Sequence, residues 1–267
     1  MSAYRYVLLD PTGNITALVL DPVPPEDRAE VTGRLLAESE QVAFLEGPAR
    51  AGALAGIRLM GGEFCGNAAM AAAAWLVRER LRPGEETVVP LDVSGAEETV
   101  ECRIRAAEDG FTGTVRMPDI LGIRKTETEG FPLTMVRMEG ILHMILEGEI
   151  PGKEEAEALL RRIAQARPAE KAAGLLQWDG RKMRPLVYVP GSGSMVWETG
   201  CGSGSAAVGA AEAMKAGRTA ATDVLQPGGT IRVTAEVSGG TVRRVWITGR
   251  VRIGTESEIQ VENSRNS

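Results

Sequence analysis

Apolar and polar positions alternate along much of this chain, and the period lengthens to that of a helix in only a few places. Residues 4–9 and 16–20 are β-rich runs joined by Asp10-Pro11-Thr12-Gly13-Asn14. Pro, Gly and Asn there supply turn geometry, so a hairpin-type connection is predicted. Pro24-Pro25-Glu26-Asp27 opens a helix that places Val31, Leu35 and Leu36 on one face and acidic residues in the first turn, where the helix dipole favours them. Strands over 41–46 and 57–60 follow. An Ala-rich helix is predicted over 68–80, with Trp75 and Leu76 inside it and charges only at its end, then strands over 87–93, 99–105 and 113–117. Pro118 marks a boundary. The second half repeats the plan: strands over 133–137 and 141–146, a helix over 153–166 lined by Ala156, Leu159, Leu160 and Ile163, strands over 183–189 and 195–197, a small-residue helix over 205–216 ending at Gly217, and strands again from 230 to 253.

The repetition reads as an internal duplication at low identity. Each half holds a helix of small residues that starts just after a Cys-Gly pair, Cys65-Gly66-Asn67-Ala68 in one and Cys201-Gly202-Ser203-Gly204 in the other. Two domains are expected, 1–117 carrying Cys65 and 118–249 carrying Cys201, with 250–267 packing back on the first. Two similar domains facing one another would put the cysteines on opposite walls of one cleft, a favoured place for a small ligand.

Composition narrows the class. With 267 residues, 43% of them hydrophobic and 25% charged, the chain has the make-up of a globular protein with room for a large core. A net charge of −6 with scattered lysines and arginines argues against a nucleic-acid surface. No apolar run approaches the ~20 residues of a membrane span, and the N-terminus shows no charged-then-apolar leader, so the cytoplasm is the expected compartment. Three cysteines without a leader do not read as a disulfide framework. They are expected to be reduced, serving packing or chemistry.

A cysteine at a helix N-terminus meets unpaired backbone N–H groups and the positive end of the dipole. Both are expected to lower the thiol pKa from about 8.5 toward neutrality. Gly66 and Gly202 let the backbone approach a ligand closely, and the same N–H groups suit a carboxylate. Two such loops could hold an α-amino acid with one sulfur on each side of its α-carbon, one thiolate removing the proton and the opposite thiol delivering another. Competing uses are weaker. Cys102 lies in an alternating run, Val100-Glu101-Cys102-Arg103-Ile104, and reads as core. Zinc ligands usually come in close-spaced pairs, whereas these cysteines are far apart and His143 is the only histidine. A thiol hydrolase would ask that one histidine to do everything, and in its alternating strand it reads as structural. Gly200-Cys201-Gly202-Ser203-Gly204 lacks the Lys-Ser/Thr ending of a phosphate loop. Phe64 and Trp197 flank the two loops, where they either stack on a substrate or simply pack.

With these residues in view the chain resembles the diaminopimelate epimerase-like superfamily of cofactor-independent racemases and epimerases, over nearly its whole length. Pro11-Thr12-Gly13-Asn14 resembles the N-terminal turn of that family, Glu40-Gln41 its Asp-Gln pair, Phe64-Cys65-Gly66-Asn67 its first catalytic loop, Glu198-Thr199-Gly200-Cys201-Gly202-Ser203-Gly204 its second, and Gln226-Pro227-Gly228-Gly229 its late turn. The resemblance implies an α/β fold of the α+β kind: two pseudo-symmetric domains, each a curled, mostly antiparallel sheet around a central helix. It implies catalysis by Cys65 and Cys201 without pyridoxal phosphate, other cofactor or metal, and a substrate pocket at Asn14, Gln41, Gly66, Asn67, Glu198, Gly202 and Ser203. The departures narrow the substrate. Leu59-Met60-Gly61-Gly62, Gly140-Ile141-Leu142-His143 and Ser194-Met195-Val196-Trp197 replace three polar anchors that the epimerases use for a second amino-acid head. A buried, unpaired distal carboxylate would be costly. The chain is most similar to the histidine racemases of opine-type (staphylopine-like) metallophore biosynthesis, which implies L-histidine converted to D-histidine. The partner expected is a small-molecule amino acid, with no nucleic acid and no membrane, and a homodimer is one expectation for the assembly. The alternatives carried forward are a diaminopimelate epimerase, a racemase of another amino acid, an isomerase of the phenazine-pathway type, and a non-catalytic amino-acid-binding protein of the same fold.

Overall fold

A computed structural model describes residues 1–148, 152–191 and 193–262. The last five residues of the expected 250–267 segment lie outside the described residues. The chain divides into two compact units, residues 1–116 with 248 onward, and residues 117–247. The fold is α+β, mostly strands with four helices among the described residues. No helix among them is long and apolar enough to cross a membrane.

In the first unit the strands run β1 (Ser2–Pro11), β2 (Thr16–Val19), β3 (Gln41–Glu46), β4 (Ala55–Leu59), β5 (Glu86–Val93), β6 (Val100–Ala107) and β7 (Gly110–Arg116), each beside the next. β1 and β2 pair antiparallel across the Pro-Gly-Asn turn, while β2–β3 and β4–β5 are parallel. The long last strand, β16 (Thr241–Val261), neighbours β7 and also pairs with β1, so the sheet closes on itself. Inside the closure lies α2 (Gly66–Val77), in contact with β1, β2, β5, β6 and β7. A helix walled in by strands must be apolar and slim on every side. Its sequence, Gly-Asn-Ala-Ala-Met-Ala-Ala-Ala-Ala-Trp-Leu-Val, meets that need, and all of it except Leu76 is buried. A Cβ on Gly113 of β7 would press to 2.8 Å from the side chain of Met70, so that strand carries no side chain where the helix lies closest. α1 (Pro25–Leu35) covers the outside, burying Val31 and Leu35 against Tyr4, Tyr6, Val19 and Phe44.

The second unit has a six-stranded sheet in the order β13 (Ser194–Trp197), β12 (Met183–Val189), β11 (Ala172–Trp178), β10 (Ile141–Glu147), β9 (Phe131–Met138) and β8 (Ile120–Thr128). α3 (Lys153–Gln165) packs Ala156, Leu159, Leu160 and Ile163 onto Leu133, Leu142, Met144, Leu175 and Leu186. α4 (Gly202–Ala216) contacts the same sheet and also β14 (Ala220–Gln226) and β15 (Gly229–Ser238). Small residues again allow the close fit: a Cβ at Gly209 would collide with Val233. Gly217 ends the helix at φ +68, the left-handed cap that glycine adopts without strain.

Three strands were not anticipated: β8, β11 and β14. Both small-residue helices also begin earlier than expected, at Gly66 rather than residue 68 and at Gly202 rather than residue 205. Gly66, Asn67, Gly202 and Ser203 therefore belong to the first turns, and each cysteine is the residue that enters its helix.

Candidate active site

Cys65 precedes α2 in an extended conformation (φ −134, ψ 111), and its side chain is half-buried. The β1–β2 turn brings Asn14 to it. Asp10 Oδ1 accepts from the Gly13 amide at 2.6 Å and shapes that turn, while Thr12, at φ +61, donates its hydroxyl to the Arg250 carbonyl at 3.0 Å. Asn14 is buried, with its Oδ1 3.8 Å from Cys65 Sγ. The parallel register of β2 with β3 sets Gln41 opposite Thr16, and Gln41 Nε2 donates to Asn14 Oδ1 at 2.6 Å and to Thr16 Oγ1 at 2.8 Å. Asn14 Nδ2 donates to Glu40 Oε2 at 3.0 Å. Asn14, Gln41, Cys65, Gly66 and Asn67 thus sit together in the first unit, with the Asn14 amide held from both ends so that its oxygen faces the thiol.

Cys201 enters α4 in the same extended conformation (φ −109, ψ 107) but is buried. Its amide donates to Gln226 Oε1 at 2.7 Å. Gln226 Nε2 donates to Ser205 Oγ at 2.8 Å, and Ser205 in turn donates to the Cys201 carbonyl at 2.7 Å. Sγ accepts from the Gly204 amide at 3.3 Å. Glycine at 204 keeps this approach close, since a Cβ there would lie 3.0 Å from that sulfur and 2.9 Å from Leu176 Cδ2 and would push both aside.

The thiol pKa of Cys201 departs from expectation. It is raised well above the ordinary value, not lowered: burial is the main cause, followed by the negative charge of Glu198 and a hydrogen bond to it, while Ser203 and the Gly204 amide pull the other way. Helix-end stabilisation of a thiolate is outweighed here by the loss of water and by a carboxylate neighbour. Burial and the Glu198 carboxylate therefore favour the thiol form of Cys201.

Cys201 also heads a row of polar groups. The sulfur lies 3.6 Å from Ser203 Oγ, and Ser203 Oγ lies 3.0 Å from His143 Nε2, each within hydrogen-bond reach. His143 is fully buried on β10, Nδ1 has no partner, and desolvation holds its pKa down at about 3, so the ring is neutral. Gly174, opposite it on β11, makes the space: a Cβ there would overlap the ring. His143 read as structural in the sequence. The clue to its placement was a glycine inside an apolar strand, the mark of a close approach.

Other residues find ordinary places. Trp197 Nε1 donates to Glu157 on α3 at 3.1 Å, and its ring packs against the α3 cluster under Arg184. It is a packing residue. Cys102 is fully buried in β6, and burial alone drives its pKa far up. No group of three or more His, Cys, Asp or Glu side chains among the described residues could hold a metal.

The chain is similar to known proteins along nearly its whole length. The family described as "Histidine racemase CntK N-terminal domain" matches residues 3–259. A histidine racemase of Fusobacterium nucleatum subsp. nucleatum is 26% identical over 267 residues, covering 96% of each chain, and one of Staphylococcus aureus (strain Mu50) is 30% identical over 242 residues, covering 85% of this chain and 86% of that one. Among solved structures, a phenazine biosynthesis protein of the PhzF family from Bacillus anthracis superposes with a TM-score of 0.69 at 14% identity, covering 98% of this chain and all of that one. That last likeness is one of fold.

Proposed function

This chain belongs to the histidine racemase CntK family and is an amino-acid racemase, an isomerase, and from that premise we propose that it interconverts L- and D-histidine by moving the α-proton between two thiols, Cys65 and Cys201. Histidine is the substrate named for both relatives. The observation that carries the two-thiol reading is the matched geometry of Cys65 and Cys201, each entering a small-residue helix from extended backbone. In one direction Cys65, as thiolate, takes the α-proton and Cys201 gives its own to the opposite face. In the other direction the roles reverse.

The negative charge that develops spreads from the α-carbon onto the substrate carboxylate. The first-turn amides at Gly66 and Asn67 and at Gly202 and Ser203, on the positive ends of α2 and α4, are the groups suited to hold it. Asn14 and Gln41 fix the Cys65 side. When Cys201 becomes a thiolate, the donors already aimed at its sulfur, Ser203 Oγ and the Gly204 amide, stabilise the new charge without rearranging. The thiols and the amides carry the chemistry in this scheme, and no cofactor enters it. The product, D-histidine, is assigned to opine-type metallophore biosynthesis on the resemblance of the sequence motifs.

Chiral chromatography of L-histidine incubated with the protein tests the reading. D-Histidine should accumulate to a 1:1 mixture, and C65S or C201S should lower the rate by roughly 10²–10⁴-fold while staying folded, the range a positioned acid or base supplies. Near-normal racemization by either variant would refute the two-thiol assignment, and no turnover of histidine alongside turnover of another amino acid would refute the substrate.

A further inference from the structure

We propose that the Ser94-Gly95 turn, which no sequence motif singled out, is the positioning element for Cys65. It rests on the reading above only in taking Cys65 to be a reacting group. The turn follows the end of β5 and grips the loop that delivers the cysteine. Ser94 Oγ accepts from the Leu59 amide at 3.0 Å and donates to the Glu63 carbonyl at 2.8 Å, so one hydroxyl spans both ends of the Leu59–Glu63 turn. Gly95, at φ +72, lies so close to the Glu63–Phe64 peptide that a Cβ would collide with the Phe64 amide nitrogen. Only Phe64 separates this contact from Cys65, whose own side chain makes no capping bond to its helix. The direction of the thiol therefore depends on the backbone behind it as well as on Asn14 Oδ1 beside it.

The brace is itself anchored. The Ser94 amide donates to the Ile57 carbonyl at 2.9 Å, and the Ala96 amide to the Val93 carbonyl at 3.2 Å. Two residues earlier, buried Asp92 binds Arg58 and Arg50 at 2.6 Å each and the Ala49 amide at 2.9 Å. The second unit arrives independently at a comparable device. There the Gly228 amide, in the turn between β14 and β15, donates to the Thr199 carbonyl at 2.8 Å, two residues before Cys201, and Gln226 holds the Cys201 amide. In each unit a turn from a neighbouring strand fixes the carbonyl two residues ahead of the cysteine: Glu63 for Cys65, Thr199 for Cys201.

The test uses Ser94→Ala, Ser94→Thr and Gly95→Ala in the full chain, with two readouts: kcat and KM for racemization, and the rate at which iodoacetamide labels Cys65, followed by peptide mass spectrometry. Ser94→Ala should lower kcat by roughly 10- to 100-fold, the scale of an ångström of misplacement, with little change in KM. It should also change the Cys65 labelling rate several-fold, measured well below the thermal midpoint. Ser94→Thr, which keeps the hydroxyl, should restore both. Gly95→Ala, strained at φ +72 and pressed against the Phe64 amide, should repeat the Cys65 signature, and Ser94→Cys, which keeps the side chain's size but weakens both hydrogen bonds, stands in should either alanine variant not fold. Wild-type kcat and labelling in Ser94→Ala would overturn the proposal, and so would a loss of activity with Cys65 labelling unchanged. Because labelling is read without turnover, activity surviving in C65S would remove the two-thiol reading and leave the positioning result standing on its own.

Discussion

Glu198 and the Gly204 amide act on one sulfur in opposite senses. The carboxylate holds the Cys201 proton in place, and the amide with Ser203 readies the site for its departure. Removing the charge while keeping the shape should expose the balance. Glu198→Gln is expected to shift the Cys201 ionisation, read by alkylation against pH, downward, because a negative charge nearby raises a thiol pKa. An upward shift would mean that Glu198 is not the carboxylate facing the thiol. His143 offers a second test at this scale, made clean by its being the only histidine. Held neutral with a pKa of about 3, its ring should show no NMR titration as the pH falls from about 8 to about 5. The unfolded chain takes up that proton near pH 6.5 and the folded chain does not, so the burial of His143 costs stability progressively below about pH 6.5. A titration near the ordinary value would contradict the buried, neutral ring. The two cysteine loops were legible at the residue level because Cys-Gly beside a run of small residues has few structural explanations. The raised pKa of Cys201 was not, since burial and the approach of Glu198 are products of folding.

Elements were legible in proportion to how one-sided their burial is. β6 alternates buried and exposed residues, and α3 buries one stripe, and both are plain in the sequence. β8 was missed because none of its residues is fully buried, so its apolar positions have no period of two. β11 was missed for the opposite reason: it is buried on both faces, and a short apolar run holding a glycine carries no period at all. The parallel pairing of β10 with β11 is what seats Gly174 beside His143, so that omission also concealed the placement of the histidine. At the end of β5, Asp92 makes a prediction of its own. Its side chain is 2% exposed, and Arg58, followed by its other partners, holds its pKa down at about 2. A depressed carboxylate adds stability above its unfolded value of 3.8 and loses it as the pH falls toward 2. Asp92→Asn should therefore destabilise the protein at neutral pH by about 2–3 kcal/mol, near the low end for a broken buried pair because both arginines keep some water. It should also flatten the acid limb of a denaturant-stability profile between about pH 4 and pH 2. An unchanged acid limb would show that the buried carboxylate is not the group being protonated.

For the molecule as a whole, the telling feature is repetition with a difference. Each unit carries a small-residue helix entered through a cysteine in extended backbone, with a neighbouring turn bracing the chain ahead of it. Yet one thiol is half-buried against an amide oxygen, and the other is buried against a carboxylate. Two similar but unequal acid–base groups are what a racemase needs if each face of the α-carbon is to be served by its own thiol. The most direct measurement is racemization of L-histidine in D₂O, stopped early, with the α-deuterium content of both enantiomers read by mass spectrometry after chiral separation. If two thiols divide the work, the D-histidine formed carries solvent deuterium while the remaining L-histidine keeps its α-hydrogen. Equal early labelling of both enantiomers would mean that a single base serves both faces, and the assignment of Cys65 and Cys201 as partners would be wrong.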